Sequence, residues 1–86
     1  MKAVYEIKSD SFILLSVQYK NNNKCDIEDL VGKTLEEYQN DMGSFIVIPT
    51  NRGTLHAYET DYVCRDIYGN IYVFESVIFE NIFEKA

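Results

Sequence analysis

His56 is the only histidine in the chain, and together with Cys64 it forms the pair of residue types closest to a catalytic arrangement. A histidine beside a cysteine can act as the base that activates a thiol nucleophile. If the strands around Tyr58 and Tyr62 pair as a hairpin, a residue near His56 faces the neighbourhood of Cys64. The nearby carboxylates have no spacing that would orient an imidazole, and no oxyanion-binding motif accompanies the pair. We therefore expect no catalytic residues and a protein that is not an enzyme.

Three further sequence patterns could indicate a phosphate-binding or metal-binding site. Gly32-Lys33-Thr34 has the last three letters of a phosphate-binding loop, but Ile27 stands where that motif requires its first glycine. Cys25, His56 and Cys64 lack the short ligand spacings of a zinc site. The acidic residues do not form the alternating loop with a central glycine that binds calcium. The sequence therefore predicts neither a metal nor a cofactor.

The charge and length of the chain limit its partners. The 86 residues include 14 acidic and 8 basic ones, which gives a formal net charge of −6. Such a charge repels phosphates and anionic membranes, so we expect neither direct nucleic-acid binding nor membrane binding. The length suits one hydrophobic core, and we expect a single domain over residues 1–86. With no apolar run of about 20 residues and a charged start, a cytoplasmic location is the expectation.

An acidic segment and an excess of tyrosine are the least ordinary features of the composition. The carboxylates that we expect on one partner-binding surface are Asp26, Glu28, Asp29, Glu36, Glu37 and Asp41. The chain has seven tyrosines and no tryptophan, and tyrosine offers rigid apolar area with a polar tip, which suits a protein interface. We expect Tyr58, Tyr62 and Tyr68 to be aromatic anchors of that surface. These residues predict binding to a basic, nucleic-acid-handling protein.

Composition also suggests where such a chain is encoded. Asparagine, isoleucine and tyrosine are abundant, while alanine occurs only at positions 3, 57 and 86, a bias typical of AT-rich genomes. In size and charge the chain resembles short acidic proteins of phages and other mobile elements, including nuclease inhibitors and anti-CRISPR proteins. This likeness rests on no motif, and it favours an inhibitor of a bacterial defence protein. The alternative is a small-molecule or nucleotide-binding module, for sensing or sequestering, with a pocket near His56.

The hydrophobic pattern predicts three hairpins and a helical segment in the order ββ-α-ββ-ββ. The predicted strand pairs are 4–7 with 12–19, 45–48 with 54–58, and 62–66 with 71–74. Apolar residues from Ile27 to Tyr38 recur at helical spacing, and Thr34 followed by Glu37 has the form of a capping box that starts a helical turn. Gly32 interrupts this pattern, so we expect either two short helical pieces or one helix weakened at that glycine. Residues 76–86 fit either a strand or a helix, and we favour a long last strand with a frayed end.

These elements together predict an α+β fold. We expect a small, strongly bent antiparallel sheet of five to six strands, or an open barrel, with one short helix between strands 2 and 3. So short a β-rich chain also leaves edge strands, which allows a homodimer through an edge strand.

Overall fold

The computed structural model describes residues 3–7 and 13–85 of the chain. This part of the chain forms a β-rich domain in which every paired strand is antiparallel. The strands are β1 (Ala3–Ile7), β2 (Ile13–Gln18), β3 (Glu36–Asn40), β4 (Gly43–Thr50), β5 (Gly53–Tyr58), β6 (Tyr62–Arg65), β7 (Ile71–Phe74) and β8 (Phe83–Lys85), and the helices are α1 (Lys24–Val31) and α2 (Ser76–Ile82). Neither helix has the length and hydrophobicity needed to span a membrane.

The strands divide into two sheets, so the prediction of one bent sheet or open barrel with one helix is wrong. One sheet has five strands in the order β7-β6-β2-β1-β8, and the other has three in the order β3-β4-β5. The chain passes from the second sheet to the first in the turn after β5. There Thr60 takes a positive φ of 77°, and its N–H donates to the carbonyl of Tyr19 over 2.9 Å. This turn directs β6 alongside β2 instead of back along β5.

The predicted hairpins are present within the described strands. β1 pairs with β2, β4 with β5, and β6 with β7, which confirms these three local predictions. The predicted turn at residues 9–11 lies outside the described residues. Gly69 has a positive φ of 87° in the β6–β7 turn, a conformation that glycine adopts without steric cost.

The helical prediction for residues 26–38 is correct only for its first half. Gly32 adopts φ 86° and its N–H donates to the Glu28 carbonyl, so it ends α1 as a left-handed cap. The Glu28 carboxylate then accepts the backbone N–H of Leu35 over 2.8 Å and turns the chain away from the helix axis. The following residues form β3, and the proposed Thr34 to Glu37 capping box is wrong.

The prediction of a long last strand is also wrong. The tail forms α2 before the short strand β8, which pairs with β1. The i, i+4 spacing of Phe79 and Phe83 places both rings against the sheet, with their centroids 4.7 Å apart. Burial of this aromatic pair favours the helical alternative over a continuous strand.

The five-stranded sheet has a hydrophobic core on each side. α1 and the inner face of the three-stranded sheet cover one side, and that core consists of Val17, Tyr19, Ile27, Leu30, Leu35, Ile46, Ile48, Ala57 and Val63. The core beneath α2 consists of Leu14, Tyr62, Cys64, Phe79 and Phe83. The three-stranded sheet therefore buries one face and leaves its other face open.

Candidate functional site

Buried and half-buried side chains alternate along β4, and this alternation distinguishes the two faces of the three-stranded sheet. Ser44, Ile46 and Ile48 are buried toward the core, while Phe45 and Val47 point the other way and are only half-buried. Successive side chains of a strand point to opposite faces, so a strand of mainly apolar residues must present some of them outward. In β4 these outward residues are large and apolar.

Neighbouring strands add rings on either side of Phe45. The register places Tyr38 of β3 and Tyr58 of β5 directly opposite Phe45, and His56 opposite Val47. The Tyr38 and Phe45 ring centroids are 5.7 Å apart, those of Phe45 and Tyr58 are 5.3 Å apart, and those of Phe45 and His56 are 5.8 Å apart. We call Tyr38, Phe45, His56 and Tyr58 the aromatic face.

The rings of the aromatic face are held by one another yet remain accessible. Tyr38 is 45 % exposed and Tyr58 is 43 % exposed. Offset and edge contacts between the rings restrict their rotamers, so a binding partner would lose little side-chain entropy in contacting them. A contiguous patch of exposed rings is a feature of interaction surfaces, whereas single exposed apolar residues are not.

The stretch of chain that carries the aromatic face is acidic. Between residues 34 and 64 the chain has a single cation, Arg52, and five carboxylates, which are Glu36, Glu37, Asp41, Glu59 and Asp61. Glu36 accepts a hydrogen bond of 2.7 Å from the Tyr38 hydroxyl. This bond, with partial desolvation, raises the pKa of Tyr38 and keeps the phenol protonated beside the carboxylate.

A cleft borders the aromatic face at the end where β3 turns into β4. It has a volume of about 420 Å³ and is lined by Asn40, Met42, Tyr58 and Glu59. The Met42 side chain is 88 % exposed. Methionine adapts its shape to apolar partners, so Met42 extends the contact area beyond the rings.

A polar network under the sheet fixes the acidic end of the aromatic face. The Tyr19 hydroxyl donates a short hydrogen bond to Glu37 and lies 2.9 Å from the Ser44 hydroxyl. Glu59 accepts the Ser44 backbone N–H over 2.9 Å. Burial and the bond to Glu37 raise the pKa of Tyr19 to about 12. These bonds join all three strands at the end where the carboxylates lie.

The structure brings together some of the expected partner-binding residues. Glu36 and Tyr58 lie on the aromatic face, and Asp41 lies in the turn between β3 and β4. Glu37 takes part in the network beneath the face. Tyr62 is buried, and its ring stacks on that of Phe79 with a centroid distance of 4.0 Å.

The other expected partner-binding residues lie elsewhere. Asp26, Glu28 and Asp29 belong to α1, where Glu28 is occupied with Lys24 and with the backbone of Leu35. Tyr68 lies in the β6–β7 turn and is 80 % exposed. The predicted residues therefore do not form one surface.

Sequence reasoning missed Tyr38, Phe45 and Met42 as parts of a surface. Phe45 was treated only as part of the predicted strand 45–48, and Tyr38 only as part of the predicted helical segment. The signal that would have found them is the polar composition of residues 36–40, which fits an exposed edge strand beside β4 and leaves the outward face of β4 uncovered.

The catalytic alternative requires His56 and Cys64 to meet, but the structure separates them. β5 and β6 lie in different sheets, so His56 is exposed on the aromatic face while Cys64 is fully buried. The Ser16 hydroxyl donates to the Cys64 sulfur over 3.2 Å. Burial raises the pKa of Cys64 to about 12, so it is a protonated core thiol and not a nucleophile.

Comparison with known proteins adds no family to this description. No protein-family model matches the sequence, and no curated protein or solved structure matches the chain.

Proposed function

We propose that this protein is a non-catalytic binding module whose aromatic face docks onto a basic segment of another protein. The observation that carries the proposal is the contiguous row of Tyr38, Phe45 and Tyr58, in which the two tyrosines are exposed and adjacent ring centroids lie 5.3 to 5.7 Å apart. Exposed rings held in place by one another supply apolar contact area at low entropic cost.

The charges around the rings favour a basic partner. Arginine and lysine interact with the faces of aromatic rings as well as with carboxylates. Glu36 lies beside Tyr38, and Glu59 lies beside Tyr58 in the adjoining cleft. A cationic side chain placed over the Tyr38 ring would therefore have the Glu36 carboxylate within reach.

We propose further that the partner is a protein that handles nucleic acids. Proteins that handle nucleic acids carry cationic surfaces because they neutralise phosphates, and an acidic module bound there would block nucleic-acid access. With the composition of the chain, this favours a mobile-element inhibitor of a bacterial defence protein. A cytoplasmic location fits two cysteines that are both free thiols.

Differential capture tests the proposal. Wild-type protein, a Tyr38→Ser/Tyr58→Ser variant and a Tyr68→Ser control are immobilised, exposed to lysate of a low-GC bacterium, and eluted by a salt step. We expect a basic protein that wild type and control retain and the double variant releases. Its affinity, remeasured with purified protein, should fall at least about tenfold in the double variant, because aromatic anchors dominate interface energies.

Two outcomes would contradict the proposal. If the double variant binds the partner as tightly as the wild type does, the partner contacts another surface of the molecule. A partner whose binding is insensitive to salt is not recognised through the carboxylates. Circular dichroism of the double variant separates loss of contact from loss of fold.

A further inference from the structure

A second groove lies away from the aromatic face, between the β4–β5 turn and the β6–β7 turn. It has a volume of about 300 Å³, and Lys33, Asn51, Tyr68 and Asn70 line it. A smaller extension of about 150 Å³ shares Asn51 and Asn70 and reaches Arg52. We call these two adjoining spaces the turn groove.

The geometry points to the turn groove as a binding site for a nucleoside monophosphate. Its cations would hold the phosphate, the Tyr68 ring would stack on the base, and the asparagine amides would hydrogen-bond to the base edge. The volume lies at the lower end of the range for small-molecule sites, about 300 to 1,000 Å³, and so suits one nucleotide and not two.

Two cations line the turn groove and a third, Arg65, lies beside it, although the chain as a whole is acidic. Among the described side chains, none of Lys33, Arg52 and Arg65 has a carboxylate within ion-pair distance, whereas Lys24 pairs with Glu28 at 3.5 Å. The Lys33 ammonium donates to the Pro49 carbonyl over 3.1 Å, which holds it beside the groove and leaves two of its three protons for a ligand.

Arg65 approaches the groove from β6. It pairs in register with Ile71, which lines the groove, and its guanidinium lies 3.9 Å from the position that a Cβ on Gly69 would occupy. Phosphate oxygens accept from ammonium and guanidinium groups through charge-assisted hydrogen bonds, the strongest kind in proteins. Unpaired cations in a concave polar site are the arrangement that such a ligand requires.

The β6–β7 turn that carries Tyr68 and Asn70 is held by Asp66. This carboxylate accepts the backbone N–H groups of Tyr68 and Asn70, both over 2.9 Å. It also accepts the Asn70 side-chain amide over 3.0 Å and the Tyr72 hydroxyl over 2.9 Å. Four donors thus occupy the one carboxylate of the turn, and the Asn70 amide is oriented with its Oδ1 as a remaining acceptor.

Tyr68 supplies the surface on which a base could stack. Its ring lines the groove and is 80 % exposed, so nothing in the described chain covers it. Every base has a π-face that can stack favourably on an aromatic side chain. The ring therefore distinguishes a nucleotide from inorganic phosphate.

Amide chemical shifts of the ¹⁵N-labelled protein, titrated with adenosine monophosphate, test the inference. Inorganic phosphate and adenosine are titrated separately at the same ionic strength. We expect saturable chemical-shift changes at residues 33, 51 and 68–71 with adenosine monophosphate. Inorganic phosphate alone and adenosine alone should each bind more weakly. Lys33→Gln/Arg52→Gln should weaken nucleotide binding at least about tenfold, since it removes charge-assisted bonds. Lys20→Gln, an exposed lysine elsewhere, is the matched control and should leave the affinity unchanged.

Three results would overturn the inference. Chemical-shift changes that do not saturate, or that are spread over the surface, would show that the turn groove is not a nucleotide-binding site. Phosphate binding as tightly as the nucleotide would remove the role of Tyr68. Equal affinities for wild type and Lys33→Gln/Arg52→Gln would remove the role of the cations.

Discussion

The absence of a side chain at Gly43 leaves room for the hydrogen bonds at the acidic end of the three-stranded sheet. Gly43 has φ 113°, and a Cβ there would lie 2.5 Å from Glu59 Oε2, the oxygen that accepts the Ser44 N–H. The glycine is therefore needed both for its backbone conformation and for the space that the Glu59 carboxylate occupies.

Substitution of this glycine provides a test with a matched control. Gly43→Ala should destabilise the fold by about 1 to 3 kcal/mol, since it adds a clash to backbone strain. Gly53→Ala has a comparable φ of 121° but no atom within 4 Å of the added Cβ, so it reports strain alone and should cost less. Urea denaturation measures both. Equal losses would show that the Glu59 carboxylate does not depend on the space at Gly43.

Asp66 should make the stability of the molecule depend on pH. Burial alone would raise its pKa, but hydrogen bonds from Asn70, Tyr72 and Tyr68 outweigh burial and lower the pKa below its usual value. A carboxyl whose folded pKa is lowered stabilises the fold fully above its unfolded pKa, and this contribution disappears as the pH falls through the folded pKa.

We therefore expect Asp66→Asn to be less stable than wild type at pH 7, with the difference shrinking progressively once the pH falls below about 4. Urea denaturation of both proteins between pH 7 and pH 2 measures this. A stability difference that stays constant over the range would show that the Asp66 charge is not what holds the β6–β7 turn.

At the scale of elements, α2 stabilises the five-stranded sheet chiefly through one side chain. Phe79 is fully buried and lies against Tyr62, Phe74 and Phe83. Phe79→Ala should cost about 3 to 5 kcal/mol in unfolding free energy, as other buried aromatic truncations do. Ile78→Ala, on the exposed side of the same helix, should change it by about 0.5 kcal/mol or less. Similar losses for both would mean that α2 packs through a different face.

Secondary-structure elements were predicted correctly where the sequence pattern that specifies them is local. They were predicted wrongly where their structure depends on residues distant in the chain. Alternating apolar residues and turn residues identified the three hairpins, because both ends of each hairpin lie close together in the chain. Gly32 was misread because a glycine that interrupts a helix and one that ends it differ only in the path of the next residues. Leu35 N–H bonding to Glu28 decides that path.

The candidate site was only partly predictable for the same reason. Glu36 and Tyr58 were selected for charge and ring chemistry, and both lie on the aromatic face. Phe45 was missed because its exposure depends on which strands flank β4 and on which face the core covers, and neither is visible in a four-residue apolar run. Tyr62 was selected for its residue type, although α2 covers it.

The homodimer that we expect to form through an edge strand stays a prediction. β3 is an edge of the three-stranded sheet, and all five of its residues are exposed. Glu36 and Glu37 place two charges on this edge, and charges at an edge discourage strand addition. Light scattering over a range of protein concentrations tests the dimer directly.

At the scale of the whole molecule, charge is unevenly distributed. Glu36 beside the aromatic face and the cations Lys33 and Arg52 at the turn groove give one small domain a surface that favours cations and another that favours anions. Increasing salt should therefore weaken both a basic partner at the first surface and an anionic ligand at the second. Variants in one surface should leave the other unaffected, since the two share no residue.

Chemical-shift mapping with an arginine-rich peptide tests the central claim most directly. The account predicts saturable shifts on β3, β4 and β5, centred on Tyr38, Phe45 and Tyr58, that weaken as salt is added and are lost in Tyr38→Ser/Tyr58→Ser. Shifts confined to the acidic residues of α1, or shifts that persist unchanged in the double variant, would contradict the assignment of the aromatic face as the partner-binding site.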